Sequence, residues 1–363
     1  MTTLTRRDAT AAAATALDEV GGLLSQTVRR LADDWVAITG GTTADVLGGC
    51  DVPRLLELAT RGGKRFRPLM VHWGWVAAGG HSEKQRRDVV RVGAALELLH
   101  VFALVHDDVM DRSELRRGHP TVHALARDAH HAAQAAGDAQ QFGNSIAILV
   151  GDLAHAEADH LVAGLSPEVH ALWRRLLIEL VLGQRRDLTG AAMGRRDLDH
   201  ALQVARLKTG TYTVERPLEI GARIAGADAK RLAALAAYGR HVGSAFGLRD
   251  DVLGTWGDPD RTGKPNDDDL TAGKATVLLA LASHVLPPAA RRLLVRVGTE
   301  QLTTTDLARL RLAMADCGVR EKVEEMIRDE VDAACRAIEG GGLSDEGVAG
   351  LTELAHLAAW RQA

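Results

Sequence analysis

The sequence predicts an all-α protein, and three observations carry that prediction. Aromatic residues make up only 3% of the 363 residues, as 4 Phe, 6 Trp and 2 Tyr. Strands draw heavily on aromatic and β-branched side chains, whereas the Ala and Leu that abound here favour helices. Apolar residues also recur at helical rather than alternating spacing, and no alternating run is long enough to credit as a strand. With 46% apolar and 25% charged residues, the chain has the balance of a soluble globular protein with a substantial core.

Taken in order, Leu23, Val28, Leu31 and Trp35 recur at three- to five-residue steps, as do Val89, Val92, Ala95, Leu96, Leu99 and Ala103. Further helices are expected over 145–164, 168–189, 197–225, 228–253, 274–286, 304–338 and 345–361. Gly79-Gly80-His81-Ser82, Gly137-Asp138, Gly194, Gly257-Asp258-Pro259, Pro287-Pro288 and Gly340-Gly341-Gly342 separate them. The polar, Gln-rich stretch 125–143 reads as a solvated connection. Its adjacent His130 and His131 would project about 100° apart on a helix, so they do not converge on one metal ion. No repeat or low-complexity linker divides the chain. One all-α domain over 1–363 is expected, with 1–20 as a mobile N-terminal segment.

Forty-four Lys plus Arg against 48 Asp plus Glu leave a formal charge of −4, too small an imbalance for nucleic acid to be the main partner. Cys50, Cys317 and Cys335 are sparse, odd in number and without metal-ligand spacing, which fits a reducing, cytoplasmic setting. Arg6-Arg7 precede the Ala-rich run Ala9–Ala16, superficially like a twin-arginine leader. That run is broken by Thr10 and Thr15 and bounded by Asp8 and Asp18, so it lacks a greasy signal core. No uncharged apolar stretch reaches the roughly 20 residues of a membrane span.

Three clusters bear chemistry. In His106-Asp107-Asp108-Val109-Met110-Asp111, Asp107 and Asp111 stack at i and i+4 on one helix face, with Asp108 beside them. Stacked carboxylates repel, and a hard divalent cation relieves the repulsion. Mg²⁺ in particular binds through one or two carboxylates plus substrate phosphates and water. Leu248-Arg249-Asp250-Asp251-Val252-Leu253-Gly254 repeats the aspartate pair at another helix end, with Gly254 where a third would stand. Two such ends facing each other across a bundle would form a dinuclear or trinuclear divalent site, while a purely capping or solvated role stays open for Asp251. The third cluster is basic: Arg61-Gly62-Gly63-Lys64-Arg65-Phe66-Arg67-Pro68, with Arg116-Arg117-Gly118, Lys208-Thr209, Lys264 and Lys274 elsewhere. Arginine forks match phosphate oxygens and lysine supplies a point charge. Acid, base and glycine together read as a metal-bridged diphosphate site with room for two polyanions. No Ser-His-Asp or Cys-His nucleophile, Walker loop, GxGxxG or CxxC pattern is present, which excludes covalent catalysis, ATP hydrolysis and hydride transfer.

Together these motifs resemble the trans-isoprenyl diphosphate synthases, or polyprenyl synthetases, over about Arg61 to Thr276. The resemblance includes Glu97-Leu98-Leu99-His100, Arg116-Arg117-Gly118-His119-Pro120-Thr121, Gly151-Asp152, Gly183-Gln184, Lys208-Thr209-Gly210, Tyr212-Thr213-Val214-Glu215-Arg216-Pro217 and Thr262-Gly263-Lys264-Pro265. It implies an isoprenoid-synthase-like helical bundle around a deep apolar cavity, a homodimer, and two aspartate-rich helices facing each other. It further implies three Mg²⁺ per site, with Mn²⁺ as an alternative, held directly by Asp107, Asp111 and Asp250 and through water by Asp108 and Asp251. On the same basis the allylic diphosphate would rest on Arg116, Lys208 and Lys264, with Lys274 nearby. Isopentenyl diphosphate would rest on Lys64, Arg67, His100 and Arg117. Gln184 and Asp187 would complete the polar floor, and Thr209 with the Lys208 carbonyl would face the allylic cation.

Two departures stand out: Phe246-Gly247 replaces the Phe-Gln common in the family, and Gly254 replaces a third aspartate. Neither removes a direct metal ligand, so an active enzyme is expected. In the family, product length is set below the first aspartates, where Phe102, Ala103 and Leu99 stand five, four and eight residues before Asp107. Phe102 would lie about 7.5 Å down the helix from Asp107. This pattern resembles the geranylgeranyl class, giving a C20 product, with C15 second and longer chains third. A class I terpene cyclase and a non-catalytic partner subunit are the alternatives. The nearest run to a cyclase's second motif, Asp267-Asp268 with Thr271 and Lys274, ends on Ala275 without the acid. A partner subunit would be expected to have lost the first aspartate motif, which is whole here.

Overall fold

The computed structural model describes residues 6–42, 46–262, 268–299 and 301–361. Helices α1 (Arg6–Thr39), α2 (Val52–Ala59), α3 (Phe66–Ala77) and α4 (Glu83–Asp111) lead to a small antiparallel hairpin, β1 (Leu115–Arg116) with β2 (His119–Pro120). Next come α5 (Val122–Ala132), α6 (Ala139–Val162), α7 (Pro167–Ala192) and α8 (Leu198–Val204). A π-helix (Ala205–Glu215) continues α8 directly into α9 (Arg216–Ala225). The remainder is α10 (Ala229–Trp256), α11 (Pro259–Thr262), α12 (Asp268–Thr271), α13 (Val277–Val285), α14 (Pro288–Leu294), α15 (Thr304–Asp316), α16 (Val319–Ile338) and α17 (Asp345–Trp360). The all-α expectation holds, with the hairpin as the sole extended pairing among the described residues.

The chain forms two compact units. One comprises Thr10–His72 and Ser82–Ser166; the other comprises Met1–Ala9, Trp73–His81 and Pro167–Ala363. We call them the N-terminal and C-terminal units. In the N-terminal unit α4 is the central element. It starts at a capping box, in which the Ser82 side chain accepts from Gln85 N–H and the Gln85 side chain accepts from Ser82 N–H. Val101 and Val105 of α4 pack with Leu55 and Leu56 of α2 and with Val150 and Ala154 of α6. By length and composition α4 is apolar enough to cross a bilayer, but 61% of its most apolar stretch is buried within the protein, as in a core helix. It ends at Arg112 in the left-handed region (φ 55°), which turns the chain into the hairpin.

In the C-terminal unit α10 packs against α16, the π-helix, α9 and α17. The buried Tyr238 hydroxyl donates to Leu351 O at 2.6 Å, tying α10 to α17. Arg249 forks onto Glu324 of α16 at 2.8 and 2.6 Å.

Three segments differ from the sequence expectation. Residues 125–132 are helical within α5, where Ala124, Ala126 and His130 are buried; a small-residue face of this kind leaves little apolar periodicity. His130 is a core histidine whose Nε2–H donates to Ala136 O at 3.1 Å. The expected helix 197–225 widens to π geometry at its centre. The expected helix 304–338 is interrupted at Gly318, whose φ of 74° lies in the left-handed region. Residues 6–20 fall within α1.

Burial lowers His72, on α3, to about 4 from its ordinary 6.5. The unfolded chain therefore takes a proton below about pH 6.5 that the folded chain refuses until about pH 4. This residue's contribution is complete above the first value and is lost as pH falls toward the second, by up to about 3 kcal/mol. Urea titrations at stepped pH should show that slope, and His72→Gln should remove it.

Candidate active site

The last turn of α4 presents Asp107, Asp108 and Asp111, as the spacing predicts. Asp108 is buried, at 4% exposure, and the hairpin returns Arg116 onto it. Arg116 Nε donates to Asp108 Oδ1 at 3.0 Å and Oδ2 at 3.3 Å, and Arg116 Nη2 donates to Oδ1 as well. The same Nη2 stands 4.0 Å from Asp107 Oδ2. Burial works against the Arg116 charge, but Asp108, Asp107 and Asp111 outweigh it and raise its pKa. Arg116, expected on a diphosphate, is thus held by the carboxylate that resemblance assigned to a water-mediated metal contact.

The basic motif lies in the same unit. Gly62 and Gly63, with φ of 75° and 89°, form a turn that side-chain-bearing residues resist. Arg117, just past the hairpin's first strand, donates from Nη1 to Arg61 O at 3.2 Å, and a Cβ on Gly63 would come within 3.0 Å of its Nη2. Arg65 is pinned to α1 through Leu17 O at 3.2 Å, Arg67 is buried and Lys64 is exposed. Burial, reinforced by Arg67, Arg117 and Arg116, holds the His100 pKa well below the usual range, so its imidazole is neutral. Lys64, Arg67, His100 and Arg117 therefore come from a turn, two helices and a hairpin of one unit.

Below the aspartates, Phe102 is stacked on His155 of α6 (centroids 4.8 Å apart) and meets His106 edge-on at 4.7 Å. Leu99 is fully buried and Ala103 is partly buried.

In the C-terminal unit Asp250 and Asp251 lie on α10 as expected. Asp251 Oδ2 accepts Val277 N–H at 3.0 Å, at the start of α13. Burial pushes Asp251 well above the usual carboxylate range, and Asp269, Asp250 and Asp187 push the same way against that hydrogen bond. Asp250 Oδ1 accepts from Arg361 Nη2. Arg361 also donates to Phe246 O at 3.1 Å, with its guanidinium 3.7 Å over the Phe246 ring. Lys208, in the π-helix beside Thr209, is 2.6 Å from Asp187 Oδ2. The close pass of α7 requires Gly183, because a Cβ there would sit 2.4 Å from Lys208 N. Gln184 follows it, half-buried. Lys274 pairs with Asp269 Oδ1 at 3.2 Å. Lys264, with Gly263 and Pro265 of its motif, lies outside the described residues.

Two residues here carry no weight in the sequence reading. Asp269 stands beside Gly254, where a Cβ would come within 2.1 Å of Asp269 Oδ2. Its only sequence signal is that it precedes Lys274 by five residues. Arg361 had none, being 111 residues from Asp250.

Among the described residues no three His, Cys, Asp or Glu side chains enclose a metal ion. Such a cage suits zinc or calcium, whereas Mg²⁺ takes one or two carboxylates and completes its shell with water and substrate phosphate. Paired hard oxygen donors on α4 and on α10 fit Mg²⁺ on those terms.

The family model for polyprenyl synthetases matches residues 53–312. The chain belongs to the polyprenyl synthetase family. It is therefore a prenyltransferase, with the all-α fold of that family. A geranylfarnesyl diphosphate synthase of Aeropyrum pernix is 33% identical over 313 residues, 84% of this chain and 90% of that one. A (2E,6E)-farnesyl diphosphate synthase of Mycobacterium bovis is 33% identical over 349 residues, 94% of this polyprenyl synthetase and 91% of the relative. Among solved structures, a geranylgeranyl pyrophosphate synthase from Corynebacterium glutamicum, complexed with isoprenyl diphosphate and magnesium, is 35% identical. It superposes with a TM-score of 0.85 over 96% of this chain and 98% of its own.

Arg116→Ala should leave Asp108 buried without its counter-charge, lowering unfolding stability by about 3 kcal/mol. Adding Asp108→Asn should recover most of the loss, and equal stability of all three proteins in urea would show that the pair carries no net energy.

Proposed function

We propose that this prenyl diphosphate synthase condenses isopentenyl diphosphate head-to-tail with allylic diphosphates, in a Mg²⁺-dependent reaction, to give chiefly the C20 geranylgeranyl product. One observation carries the reading. In the N-terminal unit a carboxylate turn, Asp107 and Asp111 on α4, stands together with a separate cationic set from other segments, Lys64, Arg67 and Arg117, joined by neutral His100. A chain that handled a single anion would have no task for the second set.

Asp107, Asp111 and Asp250 would hold Mg²⁺, three ions in all, with Asp108 and Asp251 supporting. Bound there, the metal supplies Lewis-acid stabilisation of charge on the departing diphosphate. Lys208, Lys264 and Lys274 add point charges to the allylic diphosphate, the electrostatic contribution that usually dominates such catalysis. Arg116 acts at one remove, by fixing Asp108 and sharing its charge with Asp107. The allylic cation left by ionisation needs protection from water, which the apolar residues beneath the aspartates provide. Thr209 and the Lys208 carbonyl face that cation. Lys64, Arg67 and Arg117 hold isopentenyl diphosphate by charge-assisted hydrogen bonds, and neutral His100 donates one more. The isopentenyl double bond then attacks the cation, and a proton leaves to the released diphosphate.

The relatives' names span farnesyl to nonaprenyl products, so length must come from this chain's own residues. Phe102, held between His106 and His155, supports a floor at the C20 depth. The exposed Ile148 and Leu149 of α6 support a homodimer with a second copy covering them, and three free cysteines support a cytoplasmic setting.

Purified protein incubated with Mg²⁺, isopentenyl diphosphate and each of the C5, C10 and C15 allylic diphosphates should yield C20 alcohols after dephosphorylation. Phe102→Ala should shift the distribution to longer chains. No condensation with any primer would point to a partner subunit, and an unchanged distribution in the variant would remove Phe102 as the floor.

A further inference from the structure

Glu97 lies on α4 one turn before His100, at 8% exposure. Its Oε1 is fully buried and has no hydrogen-bonding partner among the described residues. The residue lines a cavity of about 10 Å³ with Gly62, Thr60, His100 and Arg117, room for about one water molecule. Ionising a carboxylate with one oxygen buried and lacking a donor is costly. The charges that act on it are three guanidiniums of the same unit: Arg67 from α3, Arg65 from the turn before it and Arg117 from the hairpin. His100, on its own helix, is neutral, and the α1 residue in the lining, Leu24, is apolar. Burial pushes the Glu97 carboxyl upward and the three arginines pull it back.

A diphosphate seated on Arg67 and Arg117 cancels the field that keeps Glu97 charged and brings further negative charge beside it. We propose that Glu97 is the counter-charge of the isopentenyl diphosphate site, ionised while the site is empty and protonated from solvent when a diphosphate binds. In the empty protein it offsets the mutual repulsion of the arginines and so keeps their forks in place. On binding it gives up its negative charge, so that the incoming anion meets a cationic site. This rests on reading Lys64, Arg67, His100 and Arg117 as that site. Glu97 is a positioning residue, acting through the arginines.

Calorimetric titration with isopentenyl diphosphate, in buffers of differing ionisation enthalpy, counts the protons exchanged on binding. The full-length protein should take up about one proton more than Glu97→Gln, which keeps the shape and cannot ionise. Independently of the variant's folding, the unmodified protein's affinity should fall as pH rises from about pH 7.5 to about pH 9, where the ligand's own phosphates are already ionised. Equal proton counts with binding intact, or an affinity flat over that range, overturn the assignment of Glu97 alone. Absence of binding to the unmodified protein overturns the site reading, and this assignment with it.

Discussion

Charge placed inside a helical framework must be matched by opposite charge, and the candidate site depends on how this chain does so. Asp108 is buried and answered by Arg116. Asp187 is answered by Lys208, Asp269 by Lys274 and Asp250 by Arg361. Apart from Asp269 and Lys274, which are five residues apart, the partners come from different segments, so those pairs fix helix ends, hairpin and π-helix relative to their neighbours within a unit. The cations proposed to take up diphosphate, Arg116, Lys208 and Lys274, are each held by a carboxylate. Preorganised charges of this kind need not be rearranged when negative charge develops on a leaving group.

Those pairings also recast the two glycine departures. Read along the sequence, Gly247 and Gly254 are losses, a missing amide and a missing acid. In the fold, a Cβ at Gly247 would lie 3.1 Å from Ala205, and one at Gly254 would run into the Asp269 carboxylate. The first glycine lets α10 pass the start of the π-helix. The second leaves the space beside α10 to an acid from another element, and that acid in turn holds Lys274.

Much of this was legible in the sequence, for a physical reason. Helices whose buried faces carry Val, Leu and Ile, such as α4 and α16, announce themselves by period. The aspartate and glycine–arginine motifs are local, so their spacing survives into the structure unchanged. α5 was not legible because its buried positions are largely alanine and histidine. The widening of 205–215 into a π-helix was not legible either, because it belongs with packing against α7 and α10 rather than with its own residues. Pairings across long separations, Asp250 with Arg361 above all, leave no local trace. Glu97 was visible as a motif letter, but its lack of a hydrogen-bond donor could be seen only in three dimensions.

The central proposal is that the aspartates of α4, and those of α10, would each hold divalent ions in the presence of diphosphate. Anomalous diffraction at the manganese edge, from crystals grown with Mn²⁺ and inorganic diphosphate, tests it most directly. The account predicts manganese peaks at Asp107 and Asp111 and at Asp250, each contacting a diphosphate oxygen. Diphosphate bound with no manganese beside these aspartates, or manganese only elsewhere in the chain, would contradict it.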